Sequence, residues 1–522
     1  MNTRGSLGRV AIGIASLLLG AGLFGPVARG EALDELPLGR PGLEESRTST
    51  TVAPGVVHTL IERGHRSARD FFTIDIALLP QRKEAERTAR QLRKLGYAAR
   101  VEVIAARAPD DPRSGPTGYL VRVGKLPTQA RADALAARLV ADGFVDAAAT
   151  YTGFDGDSTT GPWVVNVLDV DLGRFKGELT PELGTHVVPG LERLTSIAGR
   201  TDALAAINGG YFVIEPVDGT PGDLAGISVR DGRLISEALD GRTSLLLSED
   251  PGDVADIAML STRQRAISSA GGARLVDGLN RKPGLIRSCG GVGGDEPTQR
   301  PKHDFTCTDD GELILFTPDF GTSTEPGPGT EVALDATGRV IARRSARGGA
   351  IPAGGSVLSG TGDGARWLRR HAAIGERIEV RERVLAGASR IELTDDLGIV
   401  NGGPRLLQDR RTRITAFKEG FVHADDPFFY VAFGLRRNPR TIAGLTADDH
   451  LLLVAIDGRQ PDWSVGASFI EEARVMRSLG AVDSVNLDGG GSTTITIGDA
   501  LVNRPSDEEG ERPIGDALLL LP

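Results

Sequence analysis

Two stretches of the 522-residue chain carry one pattern at a fixed spacing, and that duplication leaves few folds open. Phe72-Thr73-Ile74-Asp75-Ile76 alternates like a half-buried strand. Residues 84–95 place Ala85, Ala89 and Leu92 on one helical face, Gly96 ends the helix, and 97–104 reads as a second strand. The same order returns in Tyr119-Leu120-Val121-Arg122-Val123, in a helix over 131–142 with Ala132, Ala136 and Leu139, and in Gly143-Phe144. Phe72 maps onto Tyr119 and Gly96 onto Gly143, an offset of 47 residues each time. A duplicated β-α-β unit predicts a small ferredoxin-like module, with two helices on one face of a four-stranded antiparallel sheet and the other face free to bind. Its strands lack the aromatic positions on which RNA bases would stack. A purely structural domain is the competing reading.

The flanks of this repeat differ from it. Arg4 and Arg9 precede an apolar run over 10–23, and Ala28-Arg29-Gly30 offers a small-x-small cleavage site. Residues 1–30 therefore read as a signal peptide, with an uncleaved anchor as the alternative. Residues 31–70 have little apolar periodicity and much Pro, Gly, Ser, Thr and charge, and read as a linker. No later run is long enough to span a bilayer, so the expectation is an exported chain without stable membrane insertion. A net charge of −10 argues against nucleic acid or an anionic membrane as partner. Cys289 and Cys307 sit in a Gly- and Asp-rich stretch; in an oxidising compartment they are expected to form one disulfide, two free thiols being the alternative.

A second feature lies downstream. Ser468-Phe469-Ile470-Glu471 has the form of a capping box, and Phe469, Ala473 and Met476 recur at helical spacing up to Gly480. The apolar run 481–487 then reads as a strand and ends in Asp488-Gly489-Gly490-Gly491-Ser492-Thr493. Without Cβ atoms such a turn brings backbone amides close to a ligand and can cradle an anion, with Asp488 beside it. A tight hairpin whose Asp caps its own turn is the plainer reading. Similar corners follow other apolar runs: Asn208-Gly209-Gly210-Tyr211, Asn401-Gly402-Gly403-Pro404-Arg405, Asp457-Gly458-Arg459-Gln460 and Asn503-Arg504-Pro505-Ser506-Asp507. Residues 163–522 otherwise alternate short strands with polar turns, which predicts a larger mixed α+β domain with a central sheet.

Taken together and in order, these corners resemble the phosphodiester glycosidase family from about Trp163 onward. Its best-known member removes N-acetylglucosamine from a sugar-1-phosphate diester. The family's Arg-Thr-Ala-Ile-Gly stands here as Arg440-Thr441-Ile442-Ala443-Gly444, with the middle pair exchanged. Residues 71–152 resemble a SPOR domain, the periplasmic module that binds peptidoglycan glycan strands lacking stem peptides. The match is carried by Tyr119-Leu120-Val121-Arg122-Val123-Gly124 and the Ala-rich helix after it. The resemblances imply an exported hydrolase of the periplasm or cell envelope. It would be held on glycan strands and would cleave the sugar–phosphate bond of a glycosyl phosphodiester.

That reaction expels a phosphate monoester, a weakly basic leaving group that needs charge stabilisation more than protonation. An ordinary glycosidase needs a carboxylic acid paired with a second carboxylate. The expected site therefore joins phosphate donors to a carboxylate near the anomeric carbon. Asp488 is the first candidate for that carboxylate and Asp457 the second. Arg405, Arg440 and Arg459 are candidate phosphate clamps. Amides of Gly209, Gly210, Gly402, Gly489 and Gly490, with Ser492, are candidate phosphate or hydroxyl contacts, and Asn208, Asn401 and Asn486 could hold sugar hydroxyls. His423, near Asp425 and Asp426, is a weaker candidate acid, base or ligand. No cofactor is expected; nothing has metal-ligand spacing, although converging Asp and Asn side chains leave a divalent cation open. Two other functions compete: a phosphoglycan-binding protein without turnover, and a peptidoglycan glycosidase.

Overall fold

The computed structural model describes residues 35–156, 159–239, 241–248, 255–289, 293–297, 306–423 and 426–522. The expected signal peptide, 1–30, lies outside them, as does Asp425. The fold is α+β, with one small sheet bearing two helices and a larger body of several sheets.

The larger body is built on an eight-stranded sheet in which every neighbouring pair is antiparallel. Its order is Glu45–Ala53, Val56–Arg63, Trp163–Asp171, His450–Ile456, Arg440–Thr446, Ala481–Asn486, Arg405–Gln408 and Arg411–Thr412. Both faces of its centre are covered. Leu452, Val454 and Ile456 pack with Phe469, Ala473 and Met476 of the helix Phe469–Ser478, whereas Leu451, Leu453 and Ala455 pack with Ile207, Val400 and Leu518 of two neighbouring sheets. Covering both faces explains why the strand sequence is an unbroken apolar run. The helix begins at its capping box, with Glu471 accepting from the Ser468 N–H at 3.0 Å.

The small module matches the duplicated pattern. Strands Phe72–Leu79, Ala99–Ile104, Gly118–Leu126 and Ala148–Tyr151 form an antiparallel sheet, and helices Arg82–Lys94 and Gln129–Ala141 bury Ala85, Ala89, Leu92, Ala132 and Leu139 on one face.

Two expectations are corrected. The stretch read as a linker contains two strands of the main sheet, Glu45–Ala53 and Val56–Arg63. The second pairs with Trp163–Asp171 along its length, from Arg63 opposite Trp163 to Val56 opposite Val170. The small module is therefore an insertion between two adjacent strands of the larger domain. The outer strand hides this in sequence because it is polar and largely exposed, so no apolar alternation marks it; its Thr and Val residues carry only the weaker β propensity.

The helix-free face of the module is also not free. Asp75 and Arg122 are 5% and 3% exposed at its centre. Arg122 bonds Asp75 (2.8 Å), Glu102 (2.8 Å) and Asp155 (2.6 and 2.7 Å). Arg436 of the larger domain reaches the same acids, Asp75 at 2.5 Å and Asp155 at 3.2 Å. Arg437 adds bonds to the carbonyl of Gly153 and to Glu471. Each buried acid here has a cation, which is the condition for burying charge at all. Arg122→Ala is expected to leave Asp75 and Asp155 short of a partner and to lower unfolding stability by about 3–5 kcal/mol. Chemical denaturation of the full chain checks this against an exposed control, Arg82→Ala.

Candidate active site

Three strands from three sheets end in Asn: Ala205–Asn208, Gly398–Asn401 and Ala481–Asn486. Buried strand ends leave backbone groups that must find partners. Asn208 supplies several. Its Nδ2 donates to the Asp488 carbonyl (2.8 Å), and its Oδ1 accepts from the Thr441 hydroxyl (2.7 Å) and the Thr494 N–H (3.1 Å). Asn401 pairs with the backbone of Tyr211, accepting from its N–H (2.9 Å) and donating to its carbonyl (3.3 Å). Asn486 donates to the Tyr211 hydroxyl (2.7 Å) and the Gly403 carbonyl (2.9 Å). These three asparagines tie the corners together instead of facing outward, contrary to the expected hold on sugar hydroxyls; only Asn486 keeps a carbonyl oxygen without a hydrogen bond.

Four of the candidate glycine amides are likewise spent inside the fold. Gly209 donates to the Asp516 carbonyl (3.0 Å), Gly210 to Asp516 Oδ1 (2.9 Å), Gly489 to Asp488 Oδ1 (3.0 Å) and Gly490 to the Pro439 carbonyl (2.9 Å). The glycines serve close approach instead: a Cβ at Gly210 would lie 2.4 Å from Asn401 Nδ2, and one at Gly402 2.7 Å from the Asn486 carbonyl.

The predicted arginines separate. Arg405 pairs with Asp483 (2.9 Å) and the Ile257 carbonyl (2.5 Å). Arg440, 1% exposed, pairs with Glu472 (2.8 Å), donates to the carbonyls of Ala467 and Phe433 and lies over the Phe469 ring. Both are interior ion pairs, not clamps. Arg459 differs. It is exposed, takes a left-handed φ of 59°, and among the described residues bonds only the amide oxygen of Asn438, at 3.1 and 3.0 Å. Its guanidinium lies against Gly490. Burial of the head group and the like charges of Arg440 and Arg512 lower its proton affinity, partly offset by Asp507 and Asp488.

The two carboxylates also separate. Asp457 is 1% exposed and saturated, accepting from Trp463 Nε1 (2.7 Å), Asn503 Nδ2 (2.9 Å) and the Arg504 N–H (3.0 Å). It anchors the 503–504 segment. Asp488 is half-buried, and burial pushes its carboxyl up to about 6, against the pull of Ser492, Arg512, the Gly489 N–H and Arg287. His423 is buried against the Phe429 ring, 4.9 Å between centroids, within an aromatic group. Among the described residues no group of three or more His, Cys, Asp or Glu is placed to hold a metal ion.

Sequence reasoning included Arg512 and Asp516 in a tail resembling the family but gave neither of them, nor Arg287, a role in the site. A cleft of about 640 Å³ is lined by Phe212, Arg193, Arg287, Asp507 and Arg512 among others. The Arg512–Asp507 pair (2.8 Å) packs against Gly491, where a Cβ would lie 2.2 Å from Arg512 Nη2. Arg287 is brought in by a small sheet that the Cys289–Cys307 disulfide crosses, with Ile286 opposite Cys307. The disulfide is thus present as expected.

A family model for phosphodiester glycosidases matches residues 328–521, and one for the SPOR domain matches 68–151. A putative exported protein from Burkholderia pseudomallei has a solved structure that is 35% identical, covers 95% of this chain and 100% of its own, and superposes with a TM-score of 0.86. Residues 328–521 thus match the phosphodiester glycosidase family, and residues 68–151 match the SPOR domain. A hypothetical protein from Synechocystis shares the fold at 18% identity, with 92% of this chain and 81% of that one covered and a TM-score of 0.53. The catalytic domain of zebrafish N-acetylglucosamine-1-phosphodiester alpha-N-acetylglucosaminidase is 14% identical over 69% of this chain and 78% of its own, with a TM-score of 0.33. No curated protein matches the chain.

The phosphodiester glycosidase match takes in Arg459, Asp488, Arg512 and Asp516 but not Asn208, which the fold adds from 120 residues upstream of residue 328. Folded Asp488 keeps its proton to about 6, against an ordinary value of 3.8. Between those values the folded state binds more protons than the unfolded one, so this group makes stability fall as pH rises. Denaturant midpoints of Asp488→Asn, measured from about pH 4 to about pH 7, are expected to decline less steeply than those of the parent chain.

Proposed function

We propose that the chain is an exported hydrolase that cleaves the anomeric C–O bond of a glycosyl phosphodiester in the cell envelope. The observation that carries this is the charge of Asp488 acting on Arg459. One is a half-buried carboxylate; the other is a guanidinium whose hydrogen bonds go to an amide oxygen and not to an acid. An ionised Asp488 attacks, or electrostatically supports, the anomeric carbon as the C–O bond breaks. The electron pair leaves with the phosphate monoester, whose charge Arg459 takes up, and water then completes hydrolysis. The phosphate leaves without needing a strong acid, which suits a site whose cations outnumber its proton donors.

The SPOR domain and the disulfide support an oxidising compartment outside the cytoplasm, as does the name of the Burkholderia relative. The SPOR domain also supports attachment to peptidoglycan glycan strands. A second observation, two neighbouring carboxyls at Asp488 and Asp516, would suit an ordinary glycosidase and is tested alongside.

The full chain is expected to release the chromophore from a sugar-1-phosphate diester and not from the plain aryl glycoside. Arg459→Ala should lower kcat/KM on the diester about 10–100-fold, the worth of hydrogen bonds to a charged group. Turnover of the plain glycoside alone would favour the glycosidase reading; diester binding without turnover, unchanged in Asp488→Asn, would favour a phosphoglycan-binding protein. For attachment, the chain should sediment with amidase-treated sacculi more than with untreated sacculi, and equal retention would count against a role in bared-strand binding.

A further inference from the structure

Asp516 opens the last strand, Asp516–Leu521, and its side chain is 1% exposed. Its Oδ1 accepts from the Gly210 N–H at 2.9 Å, and its carbonyl accepts from the Gly209 N–H at 3.0 Å. Its Oδ2 is buried with no hydrogen-bond partner. The carbonyl of the same Gly209 accepts from the Asp488 N–H at 3.2 Å. One glycine is therefore held between the two acids, and a Cβ on it would fall 2.4 Å from Asp516 Oδ1.

The surrounding charges are unevenly shared. Arg512 and Arg287 act on Asp488, and Arg459 responds to Asp488. Asp516 is shaped by burial, by the Gly210 N–H and by the charge of Asp488. The strand Ala205–Asn208 beside it brings no titratable side chain. On its other side Glu182, opposite Ala517, is committed to Arg200 and Arg230. A buried carboxyl with one oxygen unpaired and no cation facing it is costly to ionise.

We propose that Asp516 is the proton-holding partner of Asp488: the two acids share one proton, which Asp516 keeps while Asp488 carries the charge. This rests on the reading of Asp488 as the carboxylate that meets an anionic glycosyl phosphodiester. A neutral Asp516 lets one carboxylate and one phosphodiester anion occupy the same site. A second negative charge on Asp516 would repel the substrate and weaken its binding. Asp516 acts through Asp488 and through the charge of the pocket, and so is a positioning residue. Burial and the nearby Asp488 push its carboxyl up to about 7, which puts the loss of its proton in the neutral range. The two protons leave in steps that belong to the pair.

The test is the pH profile of kcat/KM on a chromogenic sugar-1-phosphate diester, for the parent chain and Asp516→Asn. Asn keeps the acceptor for the Gly210 N–H and fixes the side chain as neutral. The parent should lose activity on the alkaline side through a rise in KM, and in Asp516→Asn that limb should move up by more than one pH unit or vanish. An alkaline limb that stays in place in Asp516→Asn, with activity merely scaled down, overturns the proposal. A second measurement needs no turnover: denaturant midpoints of the two proteins from pH 5 to 9. The parent should lose stability across the neutral range more steeply than Asp516→Asn. Parallel curves overturn the proton-sharing pair whether or not the chain is an enzyme. A flattened curve without diester turnover upholds the pair and rejects only its substrate.

Discussion

The side chain of Asn208 is where the architecture closes on itself. A strand that stops inside a protein leaves N–H and C=O groups that water cannot reach. Here the Asn208 amide meets the Asp488 carbonyl, the Thr441 hydroxyl and the Thr494 N–H at once, so it joins the ends of strands from two sheets. Asn401 and Asn486 repeat the device around Tyr211. Each asparagine offers a donor and an acceptor on a short, stiff stem, which suits a crowded junction better than a charged group would. The backbone at Asp488 is held by this junction through its carbonyl.

Around that junction the acids and bases divide by their partners. Arg405, Arg440 and Asp457 are buried and fully engaged, and their energy goes into holding loops and strands. Arg459 and Asp488 sit where the engagement is incomplete. Incomplete pairing is costly in a protein interior and is kept where charge has work to do on another molecule. The same distinction marks Asp516, whose second oxygen has no hydrogen-bond partner.

The insertion of the SPOR module between two paired strands gives it a connection unlike a flexible tether. Its entry and exit strands lie side by side, Arg63 opposite Trp163, and its sheet face shares ion pairs with Arg436. The core of the module is continuous with that of the main sheet, where Phe72 and Ile74 belong to the same apolar cluster as Trp163 and Phe469.

Local pattern alone set much of this. The 47-residue duplication determined the module's strands and helices, because apolar spacing of two and of three to four residues reports which face of a short element is buried. The capping box at Ser468 and the apolar run before Asp488 placed that acid at the end of a central strand for the same reason. The tertiary structure decided everything that depends on partners distant in sequence. It recruited the polar strand Glu45–Ala53 to the sheet edge, and it covered the face around Arg122 with Arg436. It assigned Arg440 to Glu472 and left Arg459 on a neutral amide, although both arginines are candidate phosphate clamps in sequence. It set Asp516 beside Asp488, where the sequence shows only the first residue of a closing strand. A residue's type states which bonds it can make; only the packed chain determines which of them are already taken.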